Sequence, residues 1–161
     1  MTLKSLSVLG LALIFSGCQM LSYQEPEGDN NATVVFSSDD YAVQPAICVP
    51  GKGFESTLIS VAKKRAESQF ANDMNTVLKK SETVEVKVST ERKRAKVGFI
   101  MQRKHNNGPR ERCKVAAEFM ISAGQQYHAT FTKSGEHCGI AITDANNEPA
   151  TDTVIVPWGC Q

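Results

Sequence analysis

Apolar and polar residues alternate along most of this chain, and the period is two. In "ETVEVKV", residues 82–88, Val84, Val86 and Val88 fall on one side, Glu85 and Lys87 on the other. That pattern suits a strand with one buried face. "QYHATFT", residues 126–132, sets Tyr127, Ala129 and Phe131 against His128 and Thr130. "ATVVF" (32–36), "YAVQPAICV" (41–49), "KVGFIM" (96–101), "KVAAEFMI" (114–121), "CGIAIT" (138–143) and "TVIVPW" (153–158) are further short apolar or β-branched runs. Pro45, which has no N–H to give to a ladder, suits an edge strand or a bulge. Ala123-Gly124, Ser134-Gly135 and the Asn-Gly-Pro of "HNNGPRER" (105–112) mark turns between them. Strands at this even spacing predict a mainly β, α+β domain built as an antiparallel β-sandwich or barrel.

One segment has a different period. Ile59, Ala62, Ala66, Phe70, Met74 and Val77 are spaced by three and four, which predicts a helix near residues 56–79, capped by Ser56 or Thr57. A strand over "STLISVA", residues 56–62, is the competing reading. Arg92-Lys93-Arg94 then reads as a charged hairpin loop between two strands.

The N-terminus obeys neither period. "LSVLGLALIF", Leu6 to Phe15, is almost wholly apolar and follows Lys4. It is too short to span a bilayer, which takes about 20 residues. A charged start, a short apolar core and small residues describe a secretory signal peptide. Phe15-Ser16-Gly17-Cys18 resembles the bacterial lipobox, with Phe15 where that pattern prefers Leu. The resemblance implies that residues 1–17 are a signal peptide and that Cys18 carries palmitate-type acyl chains. With Gln19 rather than Asp next, it also implies sorting to the outer membrane, periplasmic face. Residues 18–31, acidic and without apolar period, then read as a lipidated cysteine and flexible tether. Residues 32–161 form the periplasmic domain.

Export changes the meaning of the other cysteines. An oxidising compartment turns paired thiols into disulfides. Cys48, Cys113, Cys138 and Cys160 are an even set that allows three pairings. If the strands after Cys138 and before Cys160 are antiparallel neighbours, those two cysteines meet, leaving Cys48 with Cys113. Trp158 is then expected to pack on a disulfide. There is no CxxC and no HxxxH, so neither a metal nor another cofactor is assigned.

No catalytic residue is assigned either. Ser60-Val61-Ala62-Lys63 spells SxxK, but the S-D-N and K-T-G that accompany it in penicillin-interacting enzymes do not occur. His105, His128 and His137 read as surface residues. Removal of residues 1–17 from 161 leaves 144, one domain's worth. Positive charge concentrates in the middle, where residues 79–114 hold twelve Lys or Arg and four acids. Arg92, Lys93, Arg94 and Lys96 cluster at one turn; Arg103, Lys104, Arg110 and Arg112 cluster at the next. An intervening strand puts the two clusters at opposite ends. The first is the candidate binding surface, for an acidic envelope protein, lipid or glycan; no nucleic acid is expected.

Residues 113–144, "CKVAAEFMISAGQQYHATFTKSGEHCGIAITD", resemble the C-terminal part of small uncharacterised proteobacterial outer-membrane lipoproteins. Cys113, Phe119, Gly124, Tyr127 and Cys138 carry the likeness; Ser122 stands where a Pro is usual. The resemblance implies a β-rich, disulfide-bonded lipoprotein and carries no activity. A late Cys-Gly-Ile is also similar to secretion pilotins. The expected role is binding or structural, as an envelope assembly accessory anchored to the outer membrane. The alternatives are an inhibitor of an exogenous basic enzyme such as lysozyme, using the acidic flanks (18–62 or 115–161), or a hydrolase without a visible constellation.

Overall fold

The computed structural model describes residues 22–63, 79–103, 108 and 111–161. The expected signal peptide, Cys18, residues 64–78 of the expected helix, Lys104, His105 and Arg110 lie outside them. The strands are β1 (Asn31–Ser38), β2 (Gln44–Val49), β3 (Gly53–Ser56), β4 (Ile59–Val61), β5 (Lys79–Ser81), β6 (Val84–Ser89), β7 (Arg94–Arg103), β8 (Glu111–Met120), β9 (Gln126–Ser134), β10 (His137–Asp144) and β11 (Val154–Val156). They form a β-sandwich. One sheet has the order β10-β9-β1-β6, the other β11-β8-β7-β2-β3; β4 and β5 make a small parallel pair beside them. All ladders in the two large sheets are antiparallel except β1 with β9, which is parallel.

The period of two is what presses the sheets together. Along β1, Ala32, Val34 and Phe36 are buried while the residues between them are half-buried. Along β7, Ala95, Val97, Phe99 and Met101 face inward. Phe99 lies 5.4 Å from Phe36 and 5.7 Å from Phe131, edge to face in both cases. Phe119 lies 5.2 Å from Tyr127. Each pair joins one sheet to the other. Such contacts contribute about 0.5–1.5 kcal/mol beyond the area they bury.

The outer face of the larger sheet carries the C-terminal segment. Trp158 stacks on Phe54, 4.1 Å between centroids and 21° between planes, and Lys114 Nζ lies 5.6 Å from the indole. The ring passes directly over Gly98, whose cross-strand partners are Ala46 and Ala116. Small side chains here let an indole lie flat on the sheet.

Several expectations are corrected. No helix occurs among the described residues; Ser56 ends β3, and Ile59–Val61 is strand, as the competing reading has it. Val61 exchanges both backbone bonds with Val43, 2.9 Å each, and is fully buried, so the sheet satisfies this backbone. Pro45 is neither at an edge nor exposed. It lies in the interior strand β2, opposite Phe99, just beyond the end of the β2–β3 ladder. The Arg92-Lys93 turn is no hairpin. It carries the chain from β6 in one sheet to β7 in the other, with Lys93 at φ 57 and bonded through N to Thr90 O at 2.9 Å.

The disulfide pairing also differs. All four cysteines are bridged, but as Cys48–Cys160 and Cys113–Cys138. Neighbourhood of β10 and β11 was the premise of the expected pairing, and it fails. β10 pairs with β9, whereas the loop after Asp144 carries β11 across to β8 in the opposite sheet. Cys160 therefore arrives beside Cys48 at the end of β2, and Cys113–Cys138 ties β8 to β10 between the sheets. In the chain-entropy model, separations of 25 and 112 residues correspond to roughly 3.5 and roughly 5 kcal/mol.

Peptide mapping of unreduced protein should therefore recover Cys48 with Cys160 and Cys113 with Cys138. Gly98→Ala should cost about 2 kcal/mol in urea denaturation. Its Cβ would stand 2.5 Å from Val115 O and 2.7 Å from the Trp158 ring, so the indole or the strand must move. An unchanged midpoint would show that the indole does not rest on this strand.

Candidate functional site

At the sandwich end where β6 passes to β7, the sheets leave an open cleft of about 440 Å³. Three parts of the fold meet there. The entering segment contributes Tyr23, Gln24 and Pro26. The β2–β3 hairpin contributes Cys48, Lys52 and Glu55. The β6–β7 corner contributes Glu91, Arg92, Arg94 and Lys96, with Glu118 from β8 beside them.

The segment expected as a tether runs along the domain from Ser22 onward. Ser22 bridges Ser56, and Tyr23 N donates to Ser56 O at 2.8 Å. The Tyr23 hydroxyl donates to Lys87 O at 2.8 Å. Tyr23 thus links β3 of one sheet to β6 of the other and roofs part of the cleft. Burial, then the nearby Glu25 and Glu55 carboxylates, push its phenol up to about 12. Tyr23, Gln24 and Pro26 line the cleft, whereas Glu25 and Glu27 do not.

The four basic residues singled out in the sequence are brought to this end but do different work. Arg94 Nε pairs with Glu118 Oε1 at 2.6 Å, and its Nη2 donates to Asp152 O at 3.2 Å. Lys96 Nζ lies 3.9 Å from Glu118 Oε2 and donates to Gly159 O at 3.1 Å. These two fasten the C-terminal segment to β7. Arg92 and Lys93 are exposed and make no ion pair among the described residues. Of the second cluster, Arg112 is exposed at the start of β8, and Arg103 ends β7 opposite Glu111. The ten residues of β7 hold Arg94 and Arg103 about 30 Å apart. The two clusters do not form one patch.

Glu55, Lys52 and Glu91 were not singled out in the sequence. Glu55 is the most telling of them. Its register partner Ile47 faces the core, so Glu55 points inward from β3 and is only 6% exposed. It has no hydrogen bond or ion pair from its side chain among the described residues. The signal was a polar residue at the inward position of "GFES", and it became readable only once β3 was paired in register with β2.

The remaining motifs stay apart. Ser60 Oγ is buried and donates to Gln44 Oε1 at 2.9 Å, so its proton is committed to an amide, and Lys63 is exposed. His128 lies 3.3 Å from Gln126 on β9, and His137 is exposed on β10. Among the described residues no group of three His, Cys, Asp or Glu side chains is placed to hold a metal ion. Comparison of the chain with protein-family models, curated proteins and solved structures gives no match.

The raised Tyr23 phenol makes a pH prediction. The folded state resists its ionisation, so the stabilisation is complete below pH 10 and is lost as pH rises towards 12. Tyr23→Phe should cost about 1 kcal/mol near neutrality, from the lost bond to Lys87 O. The difference between wild type and variant should then shrink between pH 10 and 12. A constant difference across that range would show that the phenol ionises as freely in the folded state as in the unfolded chain.

Proposed function

We propose that this protein is an outer-membrane lipoprotein, anchored through acylated Cys18 on the periplasmic face. Its domain has a binding or structural role, as an accessory of envelope assembly, and is not an enzyme. The observation that carries the reading is a conjunction. A lipobox-like Phe15-Ser16-Gly17-Cys18 lies just ahead of a β-sandwich in which the other four cysteines are all bridged. Stable bridges fit an oxidising compartment, and the lipobox resemblance fits the same one. The binding surface is the cleft beside the entering chain. Exposed Lys52 and Arg92 line it, with exposed Lys93 next to Arg92 at the same corner, and these are the contacts for the anionic groups of a partner or of the membrane itself. Arg94 and Lys96 act there indirectly, by fixing the C-terminal segment.

Labelled palmitate should enter the wild-type protein in growing cells and should not enter Cys18→Ser, which should leave the membrane fraction. Equal labelling of the two would overturn the anchoring. Partner capture should be weakened by the joint reversal Lys52→Glu, Arg92→Glu and Lys93→Glu. Arg94 is left alone because a carboxylate there would face Glu118.

A further inference from the structure

The cleft carries both signs of charge, and its deepest charge is a carboxylate without a partner among the described residues. Glu55 is 6% exposed and lines the cleft. Its carboxylate keeps contact with the open cleft, the route by which water or a ligand's cation reaches it. At the rim stand Lys52 and Arg92, both exposed. Arg94 and Glu118, also in the lining, already satisfy each other. A simple anion would gain Lys52 and Arg92 but leave Glu55 repelled. A simple cation would gain Glu55 and meet the rim cations. A ligand carrying both an ammonium and a phosphate satisfies both.

The position of the cleft says where such a ligand would come from. Ser22 is bridged to Ser56, the residue next to Glu55. From Cys18 to Ser22 is four residues, which reach at most about 14 Å when fully extended. If Cys18 is acylated, this end of the sandwich is held against the head-group layer, and Tyr23 and Gln24 enter the cleft directly from the leash. The inference therefore rests on the lipoprotein reading above.

We propose that the cleft seats the head group of a phosphatidylethanolamine from the leaflet that holds the Cys18 acyl chains, its ammonium at Glu55 and its phosphate at Lys52 and Arg92. The head group brings no net charge, which matches a cleft whose lining sets the acids Glu55, Glu91 and Glu118 beside its basic residues. The domain then lies in a fixed orientation on its membrane, with the Cys113–Cys138 end pointing away.

The test uses the full acylated protein on two kinds of vesicle. Both contain the same fraction of phosphatidylglycerol, mixed with either phosphatidylethanolamine or phosphatidylcholine, so surface charge is equal and only the ammonium differs. The rate of chemical acetylation is read at each lysine by mass spectrometry. Lys52 should react about fivefold more slowly on the ethanolamine vesicles, the worth of one or two partly exposed ion pairs. Lys114 and Lys133 should not change. Glu55→Gln, nearly isosteric, should remove the difference, as should Arg92→Gln, which alters only an exposed side chain. Equal Lys52 rates on the two vesicles, or a difference that survives Glu55→Gln, would overturn the assignment. The same spectra report the mass of the N-terminal peptide. Protein that is acylated and vesicle-bound but shows equal rates sinks the head-group site alone, whereas an unmodified Cys18 sinks the anchoring reading and the site with it.

Discussion

Phe99 holds the two sheets together. It stands between Phe36 and Phe131 of the opposing sheet, edge on to both, and it is fully buried. Its strand, β7, is the interior strand that makes the most of the fold: β8 on one side, β2 on the other, ten residues long. One residue before Phe99 the same strand turns Gly98 outward, where the missing side chain admits Trp158. Two and four residues earlier still, Lys96 and Arg94 reach out to the C-terminal segment and to Glu118. A strand has two faces, and here the inner face builds the core while the outer face receives the end of the chain.

That arrangement explains why the cleft exists. The corner at Glu91–Lys93 must cross from one sheet to the other, so the ends of β6 and β7 diverge instead of pairing. The gap is partly roofed by Tyr23, bonded to one sheet through its amide and to the other through its hydroxyl. At the far end Cys113–Cys138 draws β8 and β10 together, and the neighbouring Lys133 pairs with Glu111 at 2.7 Å and lies over Tyr41.

The buried polar groups fall into two kinds. Gln44, Thr57 and Ser60 answer one another: the Gln44 amide donates to Thr57 Oγ1 at 2.9 Å and accepts from Ser60 Oγ. Such a closed network is stable because no member is left unpaired, and it holds β4 against β2 where the β3 ladder ends. Glu55, a few residues away on the same hairpin, has no such answer among the described residues. The contrast separates a polar group answered within the fold from one that is open to the cleft.

The alternation of side chains along β1, β6, β7, β9 and β10 was legible in the sequence, because a strand's two faces are a local property with a period of two. The turns at Gly124 and Gly135 were legible for a similar reason: both have positive φ, which glycine adopts freely. The mainly β class and the separation of the two basic clusters followed from these. The three-and-four spacing beginning at Ile59 did not foretell the strand Ile59–Val61, where pairing of Val61 with Val43 decides; the rest of that spacing, from Ala66 on, lies outside the described residues. Tertiary structure alone decided which strands are neighbours. β11 had to leave β10 for β8 before Cys160 could meet Cys48, and β3 had to register with β2 before Glu55 could be seen to face inward. Pairing depends on residues far apart in the chain, so no local pattern encodes it. The cleft is made of such pairings, and its acid was therefore hidden in the sequence while its basic residues were in plain view.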